Sequence, residues 1–335
     1  MLKEEEKFEF IINHESDIPK YQQLVDGITN AIAENILQKG DLLPSVNIIC
    51  KTYQLSRDTV FKAYSILKDQ KVIDSVPNKG YYVAGETRKV LLVLDTFKAY
   101  KEVLYHSVVN NLPDNVIIDV QFHHYNIDVF KTIINNGIGK YYKYVVMNFD
   151  HAAIAPALSA ISNDKLLLID WNIHAKKNSN YVFQDFGKAF YDALTEAVDL
   201  FKKYKKIDFI YPDFTNHPWE TVEFFKKFCA DFGFQYDIIT DPKKFNIEKG
   251  IAYISVSDRI LGYFLEQCKE KDFEPGKDVG LLSYNETPMK KFIYKGISVV
   301  STDFNELGTK AAAFITHDEE TKCYVPTKLI IRESL

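Results

Sequence analysis

The sequence is poor in cysteine and in long apolar runs. Its four cysteines lie far apart along 335 residues and form no C-x-x-C pair, which argues against a disulfide framework or a zinc ribbon. No run approaches the roughly 20 apolar residues of a membrane-spanning helix, and the first residues, MLKEEEKFEF, are acidic where a signal peptide would be basic and then apolar. We therefore expect a cytoplasmic protein with no membrane partner.

Motifs for metal binding and catalysis are also scarce. The eight histidines are scattered, and the adjacent pair His123-His124 lacks the cysteine or carboxylate companions of a metal site. Neither a G-x-x-x-x-G-K-[ST] phosphate loop nor a G-x-S-x-G nucleophile elbow is present. The sequence predicts no metal, no cofactor and no catalytic residues.

The composition nevertheless supports sizeable cores and a local basic surface. The chain is 46% hydrophobic and 14% aromatic, with a net charge of −5 that argues against a protein covered in basic charge. Residues 51–79 differ, because six lysines and arginines stand against three aspartates there, a local charge of +3. Charge of this size does not define a function unless geometry supports it.

The first third of the chain carries three helical patterns. Apolar side chains from Tyr21 to Ile36 have the spacing of one helical face, and Lys39-Gly40 ends that helix. Ser45 is an N-cap for a second, shorter helix, and Ser56 caps a third. The third helix has its apolar residues at i, i+3, i+4 and i+7 and turns its polar residues outward.

Two short β-prone runs, VIDS and YYVA, follow the helices and are separated by VPNKG, which is typical of a hairpin turn. Three helices and a hairpin predict a winged helix-turn-helix. Such a unit sets the N-terminal end of its third helix in the DNA major groove, where arginine donates to guanine and threonine meets a thymine methyl or a phosphate. Arg57, Thr59 and Lys62 are the outward residues of that helix.

The segments IPKYQQL, GDLLPS, LSRDTVFKAYSILKDQKVI and NKGYYV resemble, in order and spacing, the DNA-binding domain of GntR-type transcriptional regulators. The resemblance implies these DNA-contact residues: Ser45, Arg57, Thr59, Lys62, Lys79 and Gly80. Asn47 stands where the family commonly has an arginine. We expect that contact to be a neutral hydrogen bond to phosphate or to be missing.

Beyond the link GETRK, apolar β-like runs alternate with helical patterns in two successive series. This alternation predicts an α/β fold with two lobes, each built on a doubly wound parallel sheet. Because open sheets of this kind bind ligands beyond the carboxyl ends of their strands, the polar and aromatic residues that follow the apolar runs are ligand candidates. They include Phe97, Asp170, Trp171 and Arg259.

This half is similar to the sensor domain of LacI-type repressors and to periplasmic sugar-binding proteins. The resemblance is carried by YVFQDFGKAFYDALTEAV, ISVSDRILGYFLEQCKEKDFEPGKDVGLLSYNE, STDFNELGTKAAAFI and PTKLIIRES. It implies a two-lobed, type I periplasmic-binding-protein-like domain over residues 87–335, which follows the winged-helix domain expected over residues 1–86. The chain would cross between the lobes near residues 183–190, 299–304 and 325–333.

The same resemblance assigns Asp258 as a hydroxyl acceptor and places Asn285 at the family's aspartate position and Asp185 near the first crossover. Trp219 or Glu220 stands in a segment where the family often has a ligand-binding arginine. Carboxylates and amides bind hydroxyl groups, and aromatic faces stack on sugar rings. The expected effector is therefore a monosaccharide or a similar small polar metabolite, with a purine left open.

Together these features predict a ligand-responsive repressor or activator that binds double-stranded operator DNA as a homodimer. An enzyme with an aminotransferase-like C-terminal half is an alternative that the short length after the linker disfavours. A constitutive DNA-binding protein without a ligand is a further alternative, which the polar strand ends oppose.

Overall fold

The computed structural model describes residues 11–34, 36–77, 79–84, 88–113, 115–317 and 320–335. The chain divides into two compact units. The first comprises Met1–Val90 with Leu112–Asp119 and Lys140–Tyr142, and the second comprises the rest. The predicted domain boundary at residues 86 and 87 lies outside the described residues and stays a prediction.

The N-terminal unit contains three helices and a two-stranded hairpin, as the sequence predicts. The helices are α1 (Lys20–Ala33), α2 (Val46–Tyr53) and α3 (Arg57–Asp69), and the strands are β1 (Ile73–Val76) and β2 (Gly80–Val83). The strands pair antiparallel, with Ile73 opposite Val83. The expected winged helix-turn-helix is therefore confirmed.

Hydrogen bonds to serine side chains cap α2 and α3 at the positions that the sequence predicts. The hydroxyl oxygen of Ser45 accepts from the Ile48 amide at 3.3 Å, and that of Ser56 accepts from the Thr59 amide at 3.2 Å. Tyr64 is buried in the core and donates to the Pro44 carbonyl at 2.7 Å, which fixes α3 against the segment before α2. Ile36 was expected on the buried face of the first helix, but it is exposed because α1 ends at Ala33.

The described residues from Arg88 onwards form two lobes, each around a six-stranded sheet, so the predicted two-lobed α/β architecture is confirmed. In the first lobe the order is β13-β7-β6-β5-β3-β4, and in the second it is β14-β12-β11-β10-β8-β9. The first-lobe elements are β3 (Arg88–Leu94), α4 (Ala99–Asn110), β4 (Val116–Phe122), α5 (Ile127–Gly137), β5 (Lys143–Met147), α6 (Ile154–Ala157), β6 (Leu166–Asp170) and β7 (Asn180–Phe183).

The second lobe begins after β7. Its elements are α7 (Lys188–Glu196), α8 (Val198–Phe201), β8 (Lys206–Ile210), α9 (Glu220–Phe232), β9 (Tyr236–Ile239), β10 (Ile251–Ser255), α10 (Asp258–Lys271), β11 (Gly280–Tyr284) and β12 (Ser298–Thr302). Three elements complete the chain: α11 (Phe304–Thr316), β13 (Lys322–Tyr324) and β14 (Thr327–Ile330).

The chain passes between the lobes three times. It leaves the first lobe after β7, returns after β12, and leaves again between β13 and β14. β13 pairs parallel with β7, and β14 pairs antiparallel with β12. Each sheet therefore has, at one edge, a strand that follows α11 in the chain. Three short connections therefore join the lobes.

Apolar side chains explain why each sheet is buried on both faces. All five residues of β5 are buried, as are all five of β10, β11 and β12. Continuous buried runs of this kind are typical of parallel strands covered by helices on both sides. None of the helices in the described ranges has the length and apolar content that a bilayer crossing requires.

Helix α11 packs closely on α4 at a single glycine. A Cβ atom on Gly308 would lie 2.5 Å from the Cβ atom of Ser107 and 2.9 Å from the Leu104 carbonyl oxygen. The Ser107 hydroxyl also donates to the Asn305 carbonyl at 2.6 Å. The contact therefore depends on the absence of a side chain at position 308.

We expect Gly308→Ala to lower the free energy of unfolding by about 1–3 kcal/mol, because the added methyl group meets backbone and cannot be accommodated without moving a helix. Gly262→Ala is the matched control. Gly262 lies in α10, where an added Cβ meets no atom within 4 Å, so this change should instead stabilise by about 0.5–1 kcal/mol. Urea unfolding followed by circular dichroism measures both, and equal effects of the same sign would contradict the packing argument.

Candidate functional site

The outward face of the N-terminal unit carries the predicted DNA-contact residues. Arg57, Lys62 and Lys79 are exposed, whereas Thr59 is half-buried, and its hydroxyl lies 2.8 Å from that of Ser56. The Lys62 ammonium lies 3.8 Å from the ring centre of Tyr21, which holds that side chain against α1.

The remaining candidates lie at helix and strand ends. Ser45 and Asn47 are exposed around the start of α2. The backbone N–H of Lys79 donates a hydrogen bond to the Val76 carbonyl at 3.0 Å across the hairpin turn, and Gly80 adopts a φ of +98° that favours glycine.

Phe61 is an exposed residue that the sequence analysis did not single out. Its side chain is 45% exposed on α3, and the Arg57 guanidinium lies 5.9 Å from its ring centre. Its position one helical turn after Arg57 is the feature of the sequence that could have identified it as a DNA-contact candidate. An apolar ring on an otherwise polar helix face is suited to contact a thymine methyl group.

A cavity of 380 Å³ lies between the two lobes at the carboxyl ends of their strands. Its lining includes four of the residues that the sequence analysis proposed for ligand binding: Asp170, Asp258, Arg259 and Asn285. Other polar and aromatic residues also line it, among them four that can form hydrogen bonds with a solute: Tyr125, Gln184, His217 and Tyr284.

A second cavity of 350 Å³ shares Gln184 and Phe186 with the first. Trp171 and Asp185 line this cavity, together with Glu220. The structure thus brings six of the eight proposed ligand residues to two cavities with common walls.

The other two proposed residues line neither cavity. Phe97 is 60% exposed and packs edge-on against Phe122, and Trp219 is 45% exposed and packs edge-on against Tyr211. Phe97 was proposed because it follows an apolar run, and Trp219 because it stands where the resembled family often has a ligand-binding arginine, but neither side chain lines the described cavities.

In the first lobe, a buried lysine supports a carboxylate on the cavity wall. Lys101 is fully buried and forms an ion pair with Asp95, which also accepts from the Tyr125 hydroxyl. Burial lowers the pKa of Lys101 to about 8, while the charge of Asp170 opposes that shift. Burial raises the pKa of Asp170, while the positive charge of Lys101 opposes that rise.

Gln184 links Asp170 to the crossovers. Its side-chain amide donates to the Asp170 carboxylate, and its oxygen accepts from the Thr302 hydroxyl at 2.6 Å. The Thr302 hydroxyl in turn lies 3.3 Å from that of Thr327. Since these residues stand beside the first, second and third crossovers, one chain of polar contacts joins all three to a cavity carboxylate.

In the second lobe, the cavity wall presents oxygen atoms that have no partner in the described part of the chain. The Tyr284 hydroxyl and the Asn285 side-chain oxygen are both buried and unbonded. Buried polar atoms are costly unless they are hydrogen-bonded. Nearby, the Arg259 guanidinium lies 4.4 Å from the ring centre of Phe214. These groups can bind the hydroxyl groups of a solute.

His217 contributes a neutral imidazole to the cavity. Its ring packs edge-on against Tyr284 at 4.5 Å and Phe186 at 5.3 Å, and its Nε2 atom lies 2.9 Å from the Thr221 hydroxyl. Burial, aided by the charge of Lys98, lowers the pKa of His217 to about 3. The imidazole is therefore uncharged at neutral pH.

Within the described ranges, no group of three or more histidine, cysteine, aspartate or glutamate side chains is arranged to hold a metal ion. The polar groups of the cavity are dispersed between aromatic rings. Their arrangement suits hydrogen bonding to a small solute rather than coordination.

The architecture of this chain is a winged helix-turn-helix followed in sequence by a two-lobed α/β unit. Residues 20–83 match the model of the family described as bacterial regulatory proteins, gntR family. The chain therefore carries a gntR-family domain at its N-terminal end, as the resemblance in the sequence implied.

Curated relatives match a segment of similar length. The sequence is 36% identical over 70 residues to the uncharacterized HTH-type transcriptional regulator YcxD of Bacillus subtilis, which is 21% of this chain and 16% of the relative. It is 35% identical over 68 residues to the mannosyl-D-glycerate transport/metabolism system repressor MngR of Escherichia coli. That match covers 20% of this chain and 28% of the relative. The match thus spans about a sixth of the first relative's length.

Solved structures match the two-lobed unit. The trehalose repressor from Escherichia coli aligns with a TM-score of 0.62 at 14% identity, covering 72% of this chain and 100% of that one. A LacI family regulator from Lactobacillus casei with bound sucrose aligns with a TM-score of 0.62 at 9% identity, covering 74% and 99%. At these identities the likeness shows the fold alone, which this chain shares with both structures.

The buried histidine predicts a specific response to acid. The unfolded chain binds a proton on His217 near pH 6.5, whereas the folded chain does so only near pH 3, so the free energy of unfolding should fall as the pH drops through this window. His217→Gln, which keeps a hydrogen-bonding group for Thr221, should reduce that fall. His106→Gln, at an exposed site in α4, should not. Urea unfolding between pH 7 and pH 4 measures the difference, and parallel curves for all three proteins would contradict it.

Proposed function

We propose that this protein is a ligand-responsive transcriptional regulator. Its N-terminal domain binds double-stranded operator DNA, and a small polar solute in the interlobe cavity changes that binding. One observation carries the proposal: a gntR-family domain is joined in one chain to a two-lobed unit whose cavity is lined by unpartnered hydroxyl and amide oxygens.

The proposed effector is a monosaccharide or another small polyhydroxyl compound. The cavity volume of 380 Å³ lies within the range of about 300–1,000 Å³ that is typical of small-molecule sites. Asp170, Asp258 and Asn285 supply acceptors for hydroxyl groups, and the ring of Tyr284 supplies apolar surface. Sugars are also the ligands named for several proteins of this fold, such as the ribose-bound LacI family regulator from Enterococcus faecium.

The proposed mechanism uses a homodimer and a hinge. Two recognition helices at a fixed separation bind two half-sites about one helical turn apart. Rotation of the lobes about the three crossovers would alter that separation without altering any DNA contact. Proposed base contacts come from Arg57 and Thr59, and phosphate contacts come from Ser45, Asn47, Lys62, Lys79 and Gly80.

Two observations favour this function over its alternatives. The second half of the chain has the fold of LacI-type sensor domains, which does not support an aminotransferase-like enzyme. A constitutive DNA-binding protein would have no use for buried, unbonded oxygen atoms around a cavity, because leaving them unbonded costs stability.

Binding of the effector should raise the melting temperature. The purified protein is screened against ribose, glucose, sucrose, lactose and trehalose, because a ligand present at 100 times its dissociation constant stabilises the folded state by about 2.7 kcal/mol. Asp258→Asn should reduce the response to the active sugar. The absence of a shift with every sugar would reject the proposed effector class while leaving the DNA-binding assignment intact.

Arg57→Ala should weaken binding to a selected operator by about 1–3 kcal/mol and broaden the base preference, since an arginine at a base edge contributes discrimination of this size. Lys20→Ala is the control, because it removes an exposed cation outside the recognition helix and the hairpin. Fluorescence anisotropy with selected and random duplexes measures both. Unchanged operator affinity in Arg57→Ala would show that another element reads the bases.

A further inference from the structure

Lys290 lies in the short helical turn that follows β11 and is one of the most deeply buried side chains of the second lobe. Only 1% of its side chain is exposed. Lysine is almost never fully buried unless it is paired, because removing an ammonium group from water is costly. Its surroundings must therefore compensate for that cost.

Three oxygen atoms surround the Lys290 ammonium. The Asp258 carboxylate lies at 2.8 Å, the Tyr284 carbonyl at 2.9 Å and the Asn285 carbonyl at 2.7 Å. An ammonium group has three donors, so all of them are used. Burial lowers the pKa of Lys290, and the neighbouring charge of Asp258 opposes that shift.

The three acceptors belong to residues that line the interlobe cavity. Asp258 is the first residue of α10, and its side chain remains 53% exposed. Lys290 contacts the Oδ1 atom of Asp258, while about half of the carboxylate side chain remains accessible to a solute. The buried lysine thus holds one side of a carboxylate whose other side is accessible.

The two carbonyl contacts fix the turn that presents the unbonded oxygens. Asn285 has a φ of +60°, a left-handed conformation that is uncommon outside glycine. The turn is also held by the Asn285 amide, which donates to the Val300 carbonyl at 2.8 Å, and the Glu286 amide, which donates to the Ser301 hydroxyl at 2.8 Å. Its backbone thereby directs the Tyr284 hydroxyl and the Asn285 side chain.

We propose that Lys290 is a positioning residue for the effector: without touching the solute, it orients the Asp258 carboxylate and the Tyr284–Asn285 turn and so sets the affinity of the second-lobe half of the cavity. This proposal rests on the proposed effector-binding function. A purely structural role is a weaker explanation, because a packed apolar side chain at a buried ionic site is often as stabilising as the ion pair.

The test compares Lys290→Met, which keeps the length of the side chain but removes the charge, with Lys206→Met. Lys206 is a matched control in the same lobe, where it pairs with Asp208 at 2.9 Å and with Asp237. It lies at the beginning of β8, at the opposite end of the strand from the cavity. Lys290→Gln, which removes the charge but retains an NH2 group with two donors, replaces Lys290→Met if the latter does not fold.

The first measurement is calorimetric titration with ribose, glucose, sucrose, lactose and trehalose. For a sugar that binds the wild type, Lys290→Met should weaken binding about 10- to 100-fold, since misplacement of a contact group has effects of this size. Lys206→Met should bind normally. Combining Lys290→Met with Asp258→Asn should cost much less than the two single effects together, because both changes disable the same carboxylate.

The second measurement needs no effector. Hydrogen exchange of the free protein should be at least tenfold faster at the Asn285 and Glu286 amides in Lys290→Met than in the wild type, while the amides of β8 and β10 stay protected. If no sugar binds the wild type, the proposed effector class fails and the exchange rates alone decide the role of Lys290. Unchanged exchange at these two amides, or full sugar affinity in Lys290→Met, would overturn the proposal.

Discussion

Burial of a lysine behind a cavity carboxylate is the constraint on which the interlobe site depends. Each lobe has one: Lys101 behind Asp95 in the first, and Lys290 behind Asp258 in the second. A buried ammonium ion requires an anion or several carbonyls at close range, and this requirement fixes the acceptors in turn. The carboxylates of the cavity are thereby oriented before any solute arrives, which lowers the entropy that binding must overcome.

The local features of the fold could be predicted because they depend on near neighbours in the chain. Ser45 and Ser56 cap the helices that follow them, and the spacing of Val60 and Tyr64 sets the buried face of α3. Strand ends were also informative, since parallel strands bring their carboxyl ends to one edge. That rule gave Asp170 and Asp258.

The supporting contacts could not be predicted, because they join residues that are distant in sequence and of a type that is normally exposed. Nothing in the residues around Lys290 indicates that its ammonium is buried against Asp258, at the start of another helix. The link from Gln184 to Thr302 likewise depends on how two crossovers meet. Phe97 and Trp219 show the converse, since aromatic residues chosen by their place in the sequence are exposed and line neither cavity.

A solute alters a two-state protein only by binding its two states unequally. A solute that contacted Asp258 and Asn285 alone would bind the second lobe equally well in every arrangement of the lobes. An effector of the proposed kind would therefore also have to reach the first lobe, where Asp170 lines the same cavity. Because Gln184 donates to Asp170 and also accepts from Thr302, a solute that competed for the Asp170 carboxylate would act directly on the crossover segments, about which the lobes turn in the proposed mechanism.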